Sequence, residues 1–381
     1  MRVLALAWAE LRRLVSDTGA VTVLVAGTLF YAFFYPSPYS QQVTDDVAVA
    51  VVDLDNTGSS RALIRDVDAT PQVGVRLVTG NLDEARSLLR EGQVLGVLLV
   101  PEHFERDVLR GRSTRIGAFG NAAFVLVYSQ VANGVVAAAG TWGALVQAQR
   151  ELAAGGDAVQ ARAAAAPVQT VTRELYNPGT GYGTYIVPAV LILILQQTLL
   201  IGVGMTTAGT RAFETPRDGA LVRLAGRSLA YLAVDMGLLV LLFIGVFWLY
   251  GLPRQAGLGD VALFLLPLML AVIFVGICIG EWLRQPETVL QAVLMLSIPM
   301  LFLSGFAWPL ESMPEALVWL GRLVPATHGI DGFVRMNQMG ASLPEVARQS
   351  AWLWGLAGIY GGMAWWLLRR AMHVGAGRVP G

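Results

Sequence analysis

Few residues in this chain are equipped for chemistry, and they do not cluster. The single cysteine, Cys278, sits in an apolar run, and the 3 histidines lie far apart in sequence. They cannot make a thiolate cluster or a Cys/His zinc site, and one cysteine forms no internal disulfide. All 27 lysine-plus-arginine positions are arginine. A phosphate-binding loop of the G-x-x-x-x-G-K-[ST] type needs a lysine at the phosphates, so an ordinary P-loop ATPase site is excluded. Lysine Schiff-base chemistry is excluded with it. No nucleophile–base set and no carboxylate pair at a common depth emerges, so the sequence assigns no catalytic residue, cofactor or metal ligand. Asp53 and Asp55 flank the point where a strand gives way to a turn, which reads as turn chemistry rather than metal binding. Two features ask for more. Asp235 stands in the middle of an apolar run. LSGFAWPLESMP, residues 303–314, crowds Ser304, Gly305, Pro309, Glu311, Met313 and Pro314 onto the end of another.

The elements that position these residues belong to a membrane. The chain is 55% hydrophobic and 14% charged, against roughly 25% charged in an ordinary soluble domain. Its net charge of zero gives no reason to expect a nucleic-acid partner. Runs long enough to span a bilayer cover roughly 15–36, 183–208, 228–250, 260–283, 286–305 and 349–370. The first is no cleavable signal, because its apolar core is too long and no small-x-small site follows. Before it, MRVLALAWAELRR sets Leu4, Trp8 and Leu11 on one face and ends in Arg12 and Arg13, the pattern of a helix lying on the membrane.

Between the first two spans the character changes. VAVAVVDLD, VGVRLVTG, VLGVLLV and TRIGAFG read as strands, separated by SSRALIRDVDA, by NLDEARSLLREG with Asn81 as N-cap and Glu84 at N3, and by PEHFERDVLRG opened by Pro101. Alternation at this spacing means an α/β domain. From Ala122 to Arg173 one or two long helices lead back, interrupted at Gly155-Gly156. The expected fold is an α-helical integral membrane protein of six transmembrane helices with an α/β domain inserted between helices 1 and 2. The segments are 1–36, 37–182 and 183–381, with short outer-surface helices at 309–341. Orientation follows arginine placement. With the N-terminus inside, Arg2, Arg12, Arg13, Arg211, Arg217, Arg223, Arg227, Arg284, Arg369, Arg370 and Arg378 fall inside, and only Arg254, Arg322, Arg335 and Arg348 fall in short outside loops. Both termini are then cytoplasmic and the α/β domain is extracytoplasmic.

In that frame the 303–314 stretch ends the fifth span. Ser312-Met313-Pro314-Glu315 has the form of a capping box starting PEALVWLGRLV, which Pro325 closes. THGIDGFVRMNQMG makes a second short helix ending at Gly340, and Ser342–Glu345 repeats the box before the last span. The pair either lies at the outer membrane surface or dips into it, and dipping implies a pathway. Asp235, costly at a helix centre, faces protein or a cavity: a substrate-path or dimer-interface group, or a structural hydrogen bond. Gln196, Gln197 and Gln291 offer bonds between helices. Glu281 and Arg284 read as snorkelling at the inner end of the fourth span. His328 reads as a capping or interfacial residue.

Taken in order, these pieces are familiar. LSGFAWPLESMPEALVWLGRLVPATHGIDGFVRMNQMGASL resembles the closing motif of the permease subunits of type-2 ABC exporters. VVDLDNTGSSRAL, VPEHFERDVLRG, RELYNPGTGYGTYIVPAV and WAELRRLVSD resemble segments of the same family in the same order. The branch it looks closest to carries a large outer domain between the first and second spans. One motif departs: where many relatives have Glu-x-Gly-Thr-x-Glu after the second span, this chain reads AGTRAFETPRDGALVRLAGR, keeping Gly209-Thr210 and Glu214. The resemblance implies a permease in a bacterial inner membrane that exports a hydrophobic or amphipathic substrate, as a homodimer or with a similar permease. A cytoplasmic ATP-binding subunit would dock through 1–13 and 209–227, with Arg211, Glu214, Arg217, Asp218 and Arg223 as coupling loop. The resemblance also implies a periplasmic adaptor that extends the path outward. Asp235 and the 303–314 residues named above would serve translocation or gating. The alternative is a membrane signalling or phage-adsorption type protein with an extracytoplasmic recognition domain; a membrane-bound hydrolase has little support.

Overall fold

The structure, a computed structural model, describes residues 1–40, 45–166, 175–209 and 219–376, with side chains as far as residue 372. It divides into two compact units, Met1–Gln42 with Glu174–Gly381, and Val43–Arg173.

The chain begins with α1 (Arg2–Ser16), which ends where Asp17 turns to extended backbone with ψ 96°. The Asp17 carboxylate accepts the Ala20 N–H at 3.0 Å and so caps the next helix. That helix, α2, is the apolar span Thr18–Tyr39, with π-helical turns over Thr22–Gly27. The break separates α1 from the first span, as the amphipathic pattern requires. α1 buries Ala7, Glu10 and Leu14 and leaves Leu4 and Trp8 exposed.

The second unit runs β1 (Val47–Asp53), α3 (Gly58–Asp68), β2 (Val73–Thr79), α4 (Leu82–Arg90), β3 (Gly96–Val100), α5 (Phe104–Leu109), β4 (Gly117–Gly120), α6 (Val125–Ala153) and α7 (Ala158–Ala165). Its sheet order is β2-β1-β3-β4, with β1 parallel to β2 and β3, and β4 antiparallel to β3. VAVAVV is apolar at every position because both faces of β1 are covered. Val47, Val49 and Val51 pack with Leu63 and Val67 of α3 and Val131 and Val135 of α6, while Ala50 and Val52 pack with Ala85 of α4. Asn81 caps α4 as expected, accepting the N–H groups of Asp83 and Glu84. Asp53 and Asp55 are turn residues: Asp53 accepts the Asp55 and Asn56 N–H groups, and Asp55 accepts the Thr57 hydroxyl. One start is corrected. Pro101 does not open a helix; α5 begins at Phe104, after His103 in the left-handed region. Asp55 accepts the Glu105 N–H and Glu105 accepts the Ser59 N–H and hydroxyl, so contacts from the β1 turn fix this helix start rather than the proline.

The membrane unit continues with α8 (Tyr182–Gly209), α9 (Ala220–Leu249), α10 (Leu258–Leu283), α11 (Pro286–Leu303), α12 (Glu315–Arg322), α13 (Pro325–Met339) and α14 (Ala347–Ala376). Among the described residues, α2, α6, α8, α9, α10 and α11 are long and apolar enough to cross a membrane. This set differs from the sequence reading at two helices. α14, expected as a span, is diluted by tryptophan, glycine and arginine, yet it packs on α10 through Leu356, Ala357 and Ala271. α6 passes on alanine and valine, yet Val131, Val135 and Ala138 are buried in the core of the α/β unit. α8 and α10 meet backbone to backbone. A Cβ on Gly280 would stand 2.5 Å from the Gly204 carbonyl oxygen, and one on Gly276 2.9 Å from Val203 Cβ. Small residues four apart let membrane helices approach this closely.

Candidate functional site

The fifth span ends within one turn. The Ser304 hydroxyl donates to the Leu301 carbonyl at 2.6 Å, and Gly305 reverses the chain at φ +78°. Leu310 then folds back, so that a Cβ on Gly305 would meet its Cγ at 2.6 Å. The capping box expected at Ser312–Glu315 does not form. Ser312 closes a 3-10 turn over Leu310–Ser312, Met313 before Pro314 is extended, and α12 starts at Glu315 with Pro314 in the cap position. A residue before proline is driven out of the helical region, and a serine already used in a turn cannot cap the next helix. The box at Ser342 does form: Glu345 accepts both the N–H and the hydroxyl of Ser342. These bonds lower the Glu345 pKa. Pro325, expected to close α12, instead opens α13 at its first turn.

The two short helices have different fates. α12 buries only Gly321, whereas α13 buries Pro325 to Ile330, Gly332, Phe333, Met336 and Asn337. α13 is built into the bundle. Gln196 of α8 accepts the Ala326 N–H at 2.7 Å, taking the place of a local cap. Gln338 donates to the Thr184 carbonyl. Phe333 packs edge-on against Phe243 and Phe247 of α9. Gly329 and Gly332 let Leu268 and Phe264 of α10 lie flush on the helix.

Between α13, the reversal at Gly305 and the start of α14 lies an open cavity of about 490 Å³. Ser304, Gly305 and Glu311, singled out from the sequence, line it, joined by Leu310 and Phe306. Pro309, Met313 and Pro314 shape the reversal without lining the cavity. From α13 come His328, Ile330, Asp331, Val334 and Arg335; Arg322 joins from α12 and Arg348, Gln349 and Trp352 from the last helix. Arg335 pairs with Asp331 at 2.7 Å, and the other Asp331 oxygen accepts from Gln349 at 2.7 Å. His328 bonds the Arg322 carbonyl at 2.9 Å and stacks on Trp352 with 5.1 Å between ring centres. Burial lowers its pKa, opposed by the hydrogen bond to the Arg322 carbonyl and by Asp331, while the charges of Arg322 and Arg348 act in the same direction as burial. Sequence reading used the three arginines only as topology markers. The missed signal was spacing: residues 328, 331 and 335 share one helical face, as do 348, 349 and 352.

Asp235 lies apart from this cavity. It is 1% exposed, and neither carboxylate oxygen has a hydrogen-bond partner among the described residues. The structural hydrogen bond considered for it is therefore not seen there. Gln197 reaches the Met300 sulfur at 3.4 Å, but Gln291 is exposed and bonds no described residue. Glu281 is buried at 5% exposure and so does not snorkel. Near the start of α9, Glu10 of α1 sits 3.6 Å from Arg227 and 3.1 Å from Arg13, with the Glu10 and Arg227 side chains 7% and 6% exposed. Of the expected coupling loop, Arg223 is buried in the first turn of α9; Arg211, Glu214, Arg217 and Asp218 lie outside the described residues. No group of three or more His, Cys, Asp or Glu among the described residues could hold a metal ion.

Comparison with known proteins agrees with this architecture. A family model described as ABC-2 family transporter protein matches residues 20–366. The chain is 24% identical over 359 residues to the probable multidrug ABC transporter permease YbhR of Escherichia coli, covering 90% of this chain and 91% of that one. It is 24% identical over 379 residues to the inner membrane transport permease YhhJ of Escherichia coli, covering 92% of each. It is also 26% identical over 175 residues to ABC transporter G family member 20 of Dictyostelium discoideum, a match spanning 42% of this chain and 23% of that protein.

Proposed function

Because the chain belongs to the ABC-2 family of transporter proteins, we propose that it is the permease of an ATP-driven exporter whose ATP is hydrolysed on a separate cytoplasmic subunit. The observation that carries this reading is a family match running from the first span into the last helix of a chain without lysine. The family supplies the transport role, and the composition removes the nucleotide site. The arginine asymmetry supports cytoplasmic termini and an extracytoplasmic α/β unit, in a bacterial inner membrane. The ATPase docks through α1 and residues 209–227. The buried Glu10–Arg227 contact then links α1 directly to the inner end of α9, so that force on one moves the other. Two permeases assemble around the path, with a periplasmic adaptor as a further partner. The cargo is hydrophobic or amphipathic, in keeping with the multidrug name of one relative. The cavity under Gly305 and the buried Asp235 are the polar groups best placed to gate it.

The test is co-expression with ATP-binding proteins encoded nearby. One should co-purify with this chain and hydrolyse ATP faster with cargo, while the chain alone hydrolyses none. Turnover by the purified chain, or failure of every such ATPase to associate, would overturn the reading.

A further inference from the structure

The cavity beside α13 is unevenly charged. Asp331 is fully engaged, holding Arg335 with one oxygen and Gln349 with the other. Arg322 rests over the Trp319 ring at 4.3 Å, and Arg348 is exposed; neither has a carboxylate partner among the described residues. Glu311 is the one remaining acid of the lining. Two guanidinium groups therefore answer to a single exposed carboxylate. Guanidinium groups in this position select phosphate or carboxylate through paired N–H donors.

A second observation comes from Gln349. It is 4% exposed, its amide nitrogen is spent on Asp331, and its Oε1 has no hydrogen-bond partner among the described residues. A buried acceptor left without a donor is costly. It is satisfied when a ligand brings a hydroxyl or ammonium group. Phe306, Leu310, Ile330 and Val334 supply the apolar part of the lining. A volume of about 490 Å³ falls within the usual range for small-molecule sites. It holds a head group and the first methylenes of a tail, with the open side for the rest.

We propose that this cavity binds the head of an anionic amphiphile: a phosphate neutralised by Arg322 and Arg348, beside a hydroxyl or amine that donates to Gln349, with the tail leaving along the apolar part of the lining. As a statement about cargo this rests on the exporter reading. As a statement about binding it does not, and the experiment measures binding.

The full chain, purified in an uncharged detergent, is titrated calorimetrically with dihexanoyl phosphatidylglycerol, with dihexanoyl phosphatidylcholine and with inorganic phosphate. The first has phosphate, tails and hydroxyl donors; the second lacks the donor; the third lacks the tails. Phosphatidylglycerol should bind at least tenfold more tightly than either. Arg348→Gln, a change at an exposed side chain that leaves the fold intact, should weaken it about tenfold, and Arg348→Lys should restore part of the loss. Gln349→Met should narrow the preference over phosphatidylcholine without abolishing it, because the choline cation still disfavours the arginine pair. Unchanged phosphatidylglycerol binding by Arg348→Gln, or equal binding of the two lipids to the wild type, would overturn the site. Inorganic phosphate binding as tightly as the lipid would show a free-anion site and overturn the amphiphile. None of these outcomes depends on an ATPase, so a failed co-purification leaves the binding site standing and a failed titration leaves the exporter reading standing.

Discussion

Replacing Gly305 with alanine should cost this protein about 2–4 kcal/mol, and the structure divides that figure into two parts. The residue sits at φ +78°, where an L-residue other than glycine pays about 1–2 kcal/mol. The new Cβ would also stand 2.6 Å from Leu310 Cγ and 3.0 Å from each Cδ. The nearest of these is the branching atom rather than a mobile tip. Leu310 must therefore change its χ1 rotamer or the turn must shift, an overpacking cost of about 1–2 kcal/mol. Thermal unfolding of the purified chain should fall by on the order of 5 °C. In the double variant Gly305→Ala/Leu310→Ala the clash disappears, leaving the backbone cost and that of truncating Leu310, so the two changes together should be milder than their separate effects added. Gly305→Leu should insert normally, because hydrophobicity rises, and lose export. If Gly305→Ala melts with the wild type, or if truncating Leu310 brings no relief, the reversal is not held as described and the cavity built on it loses its floor.

Glu10→Leu should remove the carboxylate facing Arg227 in a buried setting, at about 3 kcal/mol, and amide exchange over residues 2–16 should accelerate; unchanged protection would mean that α1 is held by apolar contact alone. Because the His328 pKa is lowered by burial, the folded state binds fewer protons there than the unfolded state. The stability His328 contributes is then full above its ordinary value near 6.5 and is lost as pH falls below it. Acidification from about pH 7.5 to about 5.5 should lower the melting temperature, and His328→Gln should flatten that slope; an equal slope in the variant places the titration elsewhere. In a Cys278→Ser background, cysteines at Ser59 or Ser113 should react with an impermeant maleimide on intact cells and cysteines at Thr215 or Gly377 should not; labelling at 215 would reverse the orientation.

What could be read from the residues alone followed from how local the deciding physics was. The β1 run, the Asn81 cap and the Ser342–Glu345 box depend on neighbours in sequence, and the structure has them where the pattern put them. Ser312–Glu315 has the same spacing as Ser342–Glu345, yet it fails because a turn closes on Ser312 before it can cap. α5 starts late because Asp55 and Ser59, some fifty residues away, supply its bonds. The break of the fifth span at Ser304-Gly305 was visible as composition. The cavity behind it was not, since Arg322, His328, Asp331, Arg348 and Gln349 come together only when α13 is threaded into the bundle. That threading depends on Gln196, whose bond to the Ala326 N–H joins residues 130 positions apart.

The glycines shared by α8 and α10 also bear on stiffness. Where a carbonyl of one helix occupies the space a methyl group would need on the other, the pair cannot slide or roll without collision. It behaves as a single strut: a push at the Gly204–Gly280 end arrives at the other end with little loss. α11 is the opposite kind of part, with 11% of its apolar window enclosed against 83% for α8. Moving α11 against the α8–α10 pair therefore disrupts few packed contacts within the chain. A cross-link meant to restrain movement within this unit is therefore better placed on α11 than on α8 or α10.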